Sequence, residues 1–188
     1  MKTLEDSSFD PQQMTVIMAH GFQQNLEYLT EHCELIREKD PNANILLIDW
    51  SQGARGPLPR YLHAASNVKL AADYAAMVFE KLIHSRREAL SPESILQRTH
   101  GVGFSLGAHV IGWIGKCLQN SLKGKMSTII GLDPAGLFFD GLLSFFRQLQ
   151  RGDATFVSAL QTDRRRCGAN NLNVDMLSKC LKPDSNIG

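Results

Sequence analysis

The stretch Gly103-Phe104-Ser105-Leu106-Gly107 sets a serine between two glycines, where an apolar run gives way to a helical pattern. A sharp strand-to-helix turn of this kind lifts the serine hydroxyl clear of the backbone. The small flanking residues let strand and helix cross closely. The helix start beyond it brings free N–H groups to the place where an oxyanion would form, Leu106 N–H first among them. A serine hydroxyl is a useful nucleophile only beside a base, most often a histidine steadied by a carboxylate. Asp133 is the candidate carboxylate, because it ends the apolar run Ser127–Leu132 and so stands at the same sheet edge as Ser105. Asp-Pro is also a common turn dipeptide, which is the plainer account of Asp133-Pro134. Asp49 closes another apolar run, but it precedes the serine, against the order serine, acid, histidine expected with this turn. His20-Gly21-Phe22 ends the first apolar run, and the Phe22 N–H there pairs with that of Leu106 as a candidate oxyanion hole.

The base is the missing part. The histidines stand at 20, 32, 63, 84, 100 and 109, and none follows Asp133. His109 lies one helical turn past the serine on an apolar helix. A side chain anchored there is badly placed to reach the serine hydroxyl at the 2.6–3.2 Å that proton transfer needs.

The elements that would hold these residues alternate strand and helix, which predicts an α/β fold: a mostly parallel sheet with helices on both faces. Strands are expected at Thr15–Ala19, Ile45–Ile48, His100–Phe104, Ser127–Leu132 and Phe156–Leu160. Helices are expected at Asn25–Lys39, at about Asn67–His84 and at Leu106–Leu118. Leu26, Leu29, Cys33 and Ile36 form the apolar stripe of the first. Val68, Ala71, Ala75, Val78, Phe79 and Leu82 form that of the second. Ser51–Pro59 reads as loop and Ser91–Glu93 as a turn. Residues 1–163 read as one domain, partial, and 164–188 as a polar, irregular tail.

With 43% apolar and 21% charged residues the chain is an ordinary globular protein. A net charge of +1 gives no argument for nucleic acid or anionic membranes. Arg164-Arg165-Arg166 reads as a solvated loop. No apolar run approaches a transmembrane span, and Leu4-Glu5-Asp6 interrupts any signal-peptide core. Of the four cysteines, Cys33 and Cys117 fall in helical patterns as simple apolar residues, and Cys167 and Cys180 flank a polar loop as the better disulfide candidates. No cofactor or metal motif is present.

Val16–Phe22 (VIMAHGF), Ile48–Ala54 (IDWSQGA) with Asn67-Val68 beyond it, Gly103–His109 (GFSLGAH) and Gly131–Ala135 (GLDPA) occur in this order between about residues 9 and 163. In these blocks the chain resembles the animal pancreatic-lipase-like family of triacylglycerol lipases and venom-type phospholipases. The resemblance implies an α/β-hydrolase fold, Ser105 as nucleophile, Asp133 as acid, and Phe22 and Leu106 N–H groups as oxyanion hole. It also implies a secreted protein acting on lipid esters. Members read His-Thr-Asp where this chain has Gln161-Thr162-Asp163. The triad histidine aligns with Asn173 of Asn173-Val174-Asp175-Met176. Some members bind calcium through two aspartates ahead of the last strand; Asp153 matches one and Gln150 stands in place of the other. An asparagine cannot exchange a proton near pH 7, and loss of one triad member leaves about 10³–10⁴-fold residual catalysis. The two readings are therefore a serine ester hydrolase completed by a base elsewhere, and a non-catalytic homologue that binds lipid or a partner.

Overall fold

A computed structural model describes residues 7–86, 88–140, 146–162 and 168–179. Among these, strands β1 (Thr15–Ala19), β2 (Asn44–Ile48), β3 (Thr99–Phe104), β4 (Thr128–Leu132), β5 (Phe156–Gln161) and β6 (Met176–Lys179) form one sheet in the order β2-β1-β3-β4-β5-β6. Every neighbouring pair is parallel. The expected strands are all present. β6 adds one that the sequence pattern did not show, because Met176-Leu177-Ser178-Lys179 is an edge strand, half-exposed and without a β-branched residue to mark it.

The sheet is covered on both faces, and β1 shows why. Its side chains alternate, so Val16 and Met18 meet Leu29 and Cys33 on one side, while Ile17 and Ala19 join the main core on the other. The first side is covered by α1 (Thr30–Lys39), preceded by a 3₁₀ turn over Leu26–Leu29 that Asn25 caps through a bond from the Glu27 N–H. The second side carries α3 (Tyr61–His84) and α5 (Leu106–Leu122). Two short helices, α2 (Ser51–Ala54) and α4 (Pro92–Leu96), complete the set; Ser91 caps α4. Both short helices replace what the sequence read as loop and turn, and each is only a turn or so long, below what periodicity can reveal.

α3 begins six residues before the expected start, and its buried face is rotated. Ala64, Ala65, Val68, Ala72, Ala76, Phe79, Leu82 and Ile83 are buried, whereas Val78 is 44% exposed. Alanines carry little hydrophobic weight in a periodicity argument, yet their small size is what lets α3 lie close on α5. Fully burying Phe79 contributes about 1.5–3 kcal/mol. No helix among the described residues is long and apolar enough to cross a membrane. Cys33 is a buried free thiol. Cys117 is half-buried with Sγ 3.4 Å from Asp73 Oδ1. Cys167, Cys180 and the three arginines at 164–166 lie outside the described residues.

Candidate functional site

Ser105 joins β3 to α5 at φ 53° and ψ −118°, a region that only surrounding structure can enforce on a residue with a side chain. The enforcement is visible on both sides. A methyl group at position 103 would lie 2.3 Å from Gly107 O, and one at position 107 would lie 2.2 Å from Ala19 O. Glycine at both places therefore lets the helix pass against β3 and the end of β1. Leu106 is the first residue of α5, so its N–H has no partner within the helix.

Asp133 follows β4, the strand beside β3, where Phe104 is in register with Leu132. The Ser105 N–H donates to Leu132 O at 2.9 Å, and the Ala135 N–H donates to Ser105 O at 3.3 Å. Two backbone hydrogen bonds thus bracket Asp133 and fix its turn against the elbow. The Asp133 backbone has φ 44°. Its two carboxylate oxygens accept the N–H and the hydroxyl of Thr162, each at 2.5 Å. Thr162 follows β5, the next strand over, and sequence reasoning did not single it out; its place after a strand end was the available signal.

The loop at Gly21-Phe22 also reaches the elbow. A methyl at position 21 would come within 3.0 Å of Ser105 Cβ. Gln24 Oε1 accepts the Gly21 N–H at 2.7 Å, and among the described residues no hydrogen bond takes up the Phe22 N–H. His20 is structural support for this loop. It is fully buried, its Nδ1 is 3.0 Å from Gly21 O, and its ring stacks on Trp50, whose indole N–H donates to His20 O at 2.8 Å. Asp49 lies 3.8 Å from His20 Nε2 and accepts the Ser51 N–H. Hydrogen bonding from Ser51 holds the Asp49 carboxyl below its ordinary range. Asp49 ends β2, two strands from β3, whereas Asp133 ends the adjacent strand.

His109 is excluded as a base by its own hydrogen bonds. Its ring is fully buried and stacked on Phe139 at 3.9 Å. Nε2 is 2.7 Å from Ala135 O, and Nδ1 accepts the Leu149 N–H at 2.9 Å. The only tautomer that satisfies both is neutral with its proton on Nε2, and burial pushes the group down to about 4. Through Ala135 it ties the acid turn to α5. Among the described residues no histidine hydrogen-bonds Ser105.

The structure does not bring Asn173 to the elbow. β6 runs parallel to β5 with Met176 opposite Ser158 and Lys179 opposite Gln161. Asn173 therefore stands near the start of β5, where its carbonyl accepts the Arg151 N–H at 2.5 Å. Ser105, Asp133 and Gln161 share the other edge. Six residues of extended chain separate the two levels, about 20 Å. Gln161 is buried there; its Nε2 donates to Ala169 O, and its Oε1 has no partner among the described residues.

Asp153 does not offer a cation site. It is fully buried, its carboxylate is held by the Arg147 guanidinium, and it also accepts the Gln150 N–H at 3.0 Å. Burial still raises its carboxyl above the ordinary range. Among the described residues no group of three or more His, Cys, Asp or Glu comes together as metal ligands. The residues present do not fit calcium, because a guanidinium already neutralises the one aspartate.

These features meet a family-level likeness. The family model described as Lipase matches residues 1–180. The chain belongs to the lipase family. It is 32% identical over 163 residues to pancreatic lipase-related protein 2 of Rattus norvegicus, covering 86% of this chain and 32% of that protein. It is 33% identical over 155 residues to phospholipase A1 2 of Vespa affinis, covering 78% of this chain and 44% of the relative. The chain thus spans a third to under half the length of these lipase-family relatives. Among solved structures it resembles a protein described as a hydrolase of the α/β superfamily from Xanthomonas campestris, with TM-score 0.54 at 11% identity over 89% of this chain and 86% of that one. It also resembles SOBER1 of Arabidopsis thaliana, with TM-score 0.51 at 12% identity over 90% of each chain. These structural likenesses concern the fold, which is that of the α/β hydrolases.

Proposed function

We propose that this lipase-family chain carries the nucleophile, acid and oxyanion-hole portion of a carboxylic ester hydrolase acting on glyceride or phospholipid esters. The observation that supports it best is Ser105 at φ 53°, with hydrogen bonds to Leu132 and Ala135 bracketing Asp133. In this reading the Ser105 oxygen bonds to the ester carbonyl carbon, and the oxyanion accepts the Phe22 and Leu106 N–H groups. The ester C–O bond then breaks, and the serine proton leaves with the alcohol. Water releases the acid from acyl-Ser105. The proton needs a histidine that the 188 residues do not place beside Ser105. An extracellular setting goes with this reading, and a full-length transcript expressed in insect or mammalian cells is expected to deliver its product to the medium; retention in the cytosol would count against it.

The test is p-nitrophenyl butyrate hydrolysis by the chain and by Ser105→Ala, with fluorophosphonate labelling of the serine. Trace hydrolysis and slow labelling, both lost in Ser105→Ala, are expected. Turnover of several per second dependent on Ser105 would show that a base is already in place. Hydrolysis indifferent to Ser105 would remove its role.

A second reading, a homologue that binds lipid without cleaving it, is favoured by Thr162 and Gln161. Thr162 engages both oxygens of the acid, and Gln161, with its side chain turned to Ala169 O, stands at the neighbouring strand end where family members read histidine. Sequencing the transcript beyond position 188 separates the two. A downstream histidine whose addition raises turnover supports the hydrolase, and its lack supports the binding protein.

A further inference from the structure

We propose that the groove between α2 and the start of α3 is a phosphate site that holds the head group of a phospholipid beside the elbow. The groove encloses about 780 Å³, and Gln52, Arg55, Arg60 and His63 are among its lining residues. Two arginines and a histidine line it, and no carboxylate does. Neither Arg55 nor Arg60 forms an ion pair among the described residues, whereas Lys69, Arg147 and Arg151 each have an aspartate. Two arginines without a carboxylate partner therefore line one polar cleft. Guanidiniums match phosphate oxygens with paired, parallel donors, which makes phosphate the anion that fits best.

The groove's position gives this charge its meaning. Gln23, the residue after Phe22, donates its N–H to Ala54 O at 2.9 Å and its side-chain amide to Gly56 O at 2.6 Å. These two carbonyls flank Arg55, so the arginine loop is laced to the candidate oxyanion loop. Beside Arg60, Tyr61 packs edge-on against the Phe22 ring at 5.2 Å. A phosphate held by Arg55 and Arg60 is thereby tethered next to an ester carbonyl at the Phe22 N–H, with a glycerol backbone as the natural link. A triglyceride has no anion for the groove, and its third acyl chain would sit against charged groups. The inference deepens the ester-hydrolase reading by choosing phospholipid over neutral glyceride. Its binding step stands apart from catalysis.

The test measures binding by isothermal titration to the 188-residue chain carrying Ser105→Ala, so that turnover plays no part. The probes are monomeric dihexanoyl-phosphatidylglycerol, uncharged dihexanoylglycerol and inorganic phosphate. The phospholipid is expected to bind more tightly than the diacylglycerol, with affinity falling as salt rises. Arg55→Ala with Arg60→Ala is expected to weaken phospholipid binding about 25-fold, five-fold for each exposed charge pair, and to leave diacylglycerol binding unchanged. The double lysine variant is expected to recover part of the loss, and both arginines are exposed, so thermal unfolding is expected to stay within a degree or two. Equal binding of phospholipid and diacylglycerol, or no effect of the double alanine variant, would overturn the proposal. Inorganic phosphate binding as tightly as the phospholipid would overturn the lipid assignment. Phospholipid binding that needs both arginines, in a protein whose full transcript supplies no histidine that raises turnover, would sink the hydrolase reading alone.

Discussion

Lowering the pH from 7 to 4 is expected to cost this protein about 3 kcal/mol through His109 alone. The ring is fully buried, and its ionisation is pushed from 6.5 down to about 4. Between those values the unfolded chain holds a proton that the folded chain refuses. The contribution is therefore complete above pH 6.5 and is lost as pH falls toward 4. A displacement of about 2.5 units at about 1.4 kcal/mol each sets a full loss of about 3.5 kcal/mol, of which about 3 is reached at pH 4, where the folded ring is half-protonated. The structural cause is specific. Nδ1 accepts the Leu149 N–H, so a second ring proton would face a donor, and no solvent reaches the site to relieve it. Urea unfolding at intervals from pH 7 to 4 measures the effect, with His109→Gln as the non-titrating comparison that keeps an amide donor and acceptor. The wild-type curve is expected to fall by about 3 kcal/mol relative to the variant's. Parallel curves, or an NMR titration of the His109 ring near 6.5, would refute the reasoning.

Further predictions follow the same geometry. Asn173→His is expected to leave ester hydrolysis at the starting level, since the position lies about 20 Å from the elbow level along the strands; recovery of turnover in a p-nitrophenyl ester assay would show that the register argument fails. Gly107→Ala is expected to cost about 3 kcal/mol or more in thermal or urea unfolding, because its methyl would meet the Ala19 and His20 carbonyls at 2.2 and 2.5 Å. Arg147→Met leaves the buried Asp153 carboxylate unpaired and is expected to cost about 3–5 kcal/mol in urea unfolding, and adding Asp153→Leu should return much of that loss.

The strands and the elbow were legible because their signals are local. Apolar runs of four to six residues with glycine or aspartate at their ends mark buried parallel strands, and the Gly-x-Ser-x-Gly spacing is itself the requirement of the turn. The start of α3 was not legible, because its first turns bury Ala64 and Ala65, residues too small to stand out in a periodic pattern. β6 was hidden for a related reason: an edge strand needs little hydrophobic content when its pairing comes from backbone hydrogen bonds with β5.

Sequence by itself determined that Ser105, Asp133 and the Gly21-Phe22 loop end strands at one sheet edge, and that none of the histidines in these 188 residues follows the acid. Strand alternation and residue order are properties of the chain alone. Tertiary structure decided the rest. It put Asn173 at the opposite edge from Ser105, because strand register is set by pairing between segments distant in sequence. It turned His109 into a buried neutral tie between Ala135 and Leu149. It engaged both oxygens of Asp133 with Thr162, and it gathered Arg55 and Arg60 beside Phe22. Each of these depends on which groups meet across the sheet, and that is fixed only when the strands and helices pack.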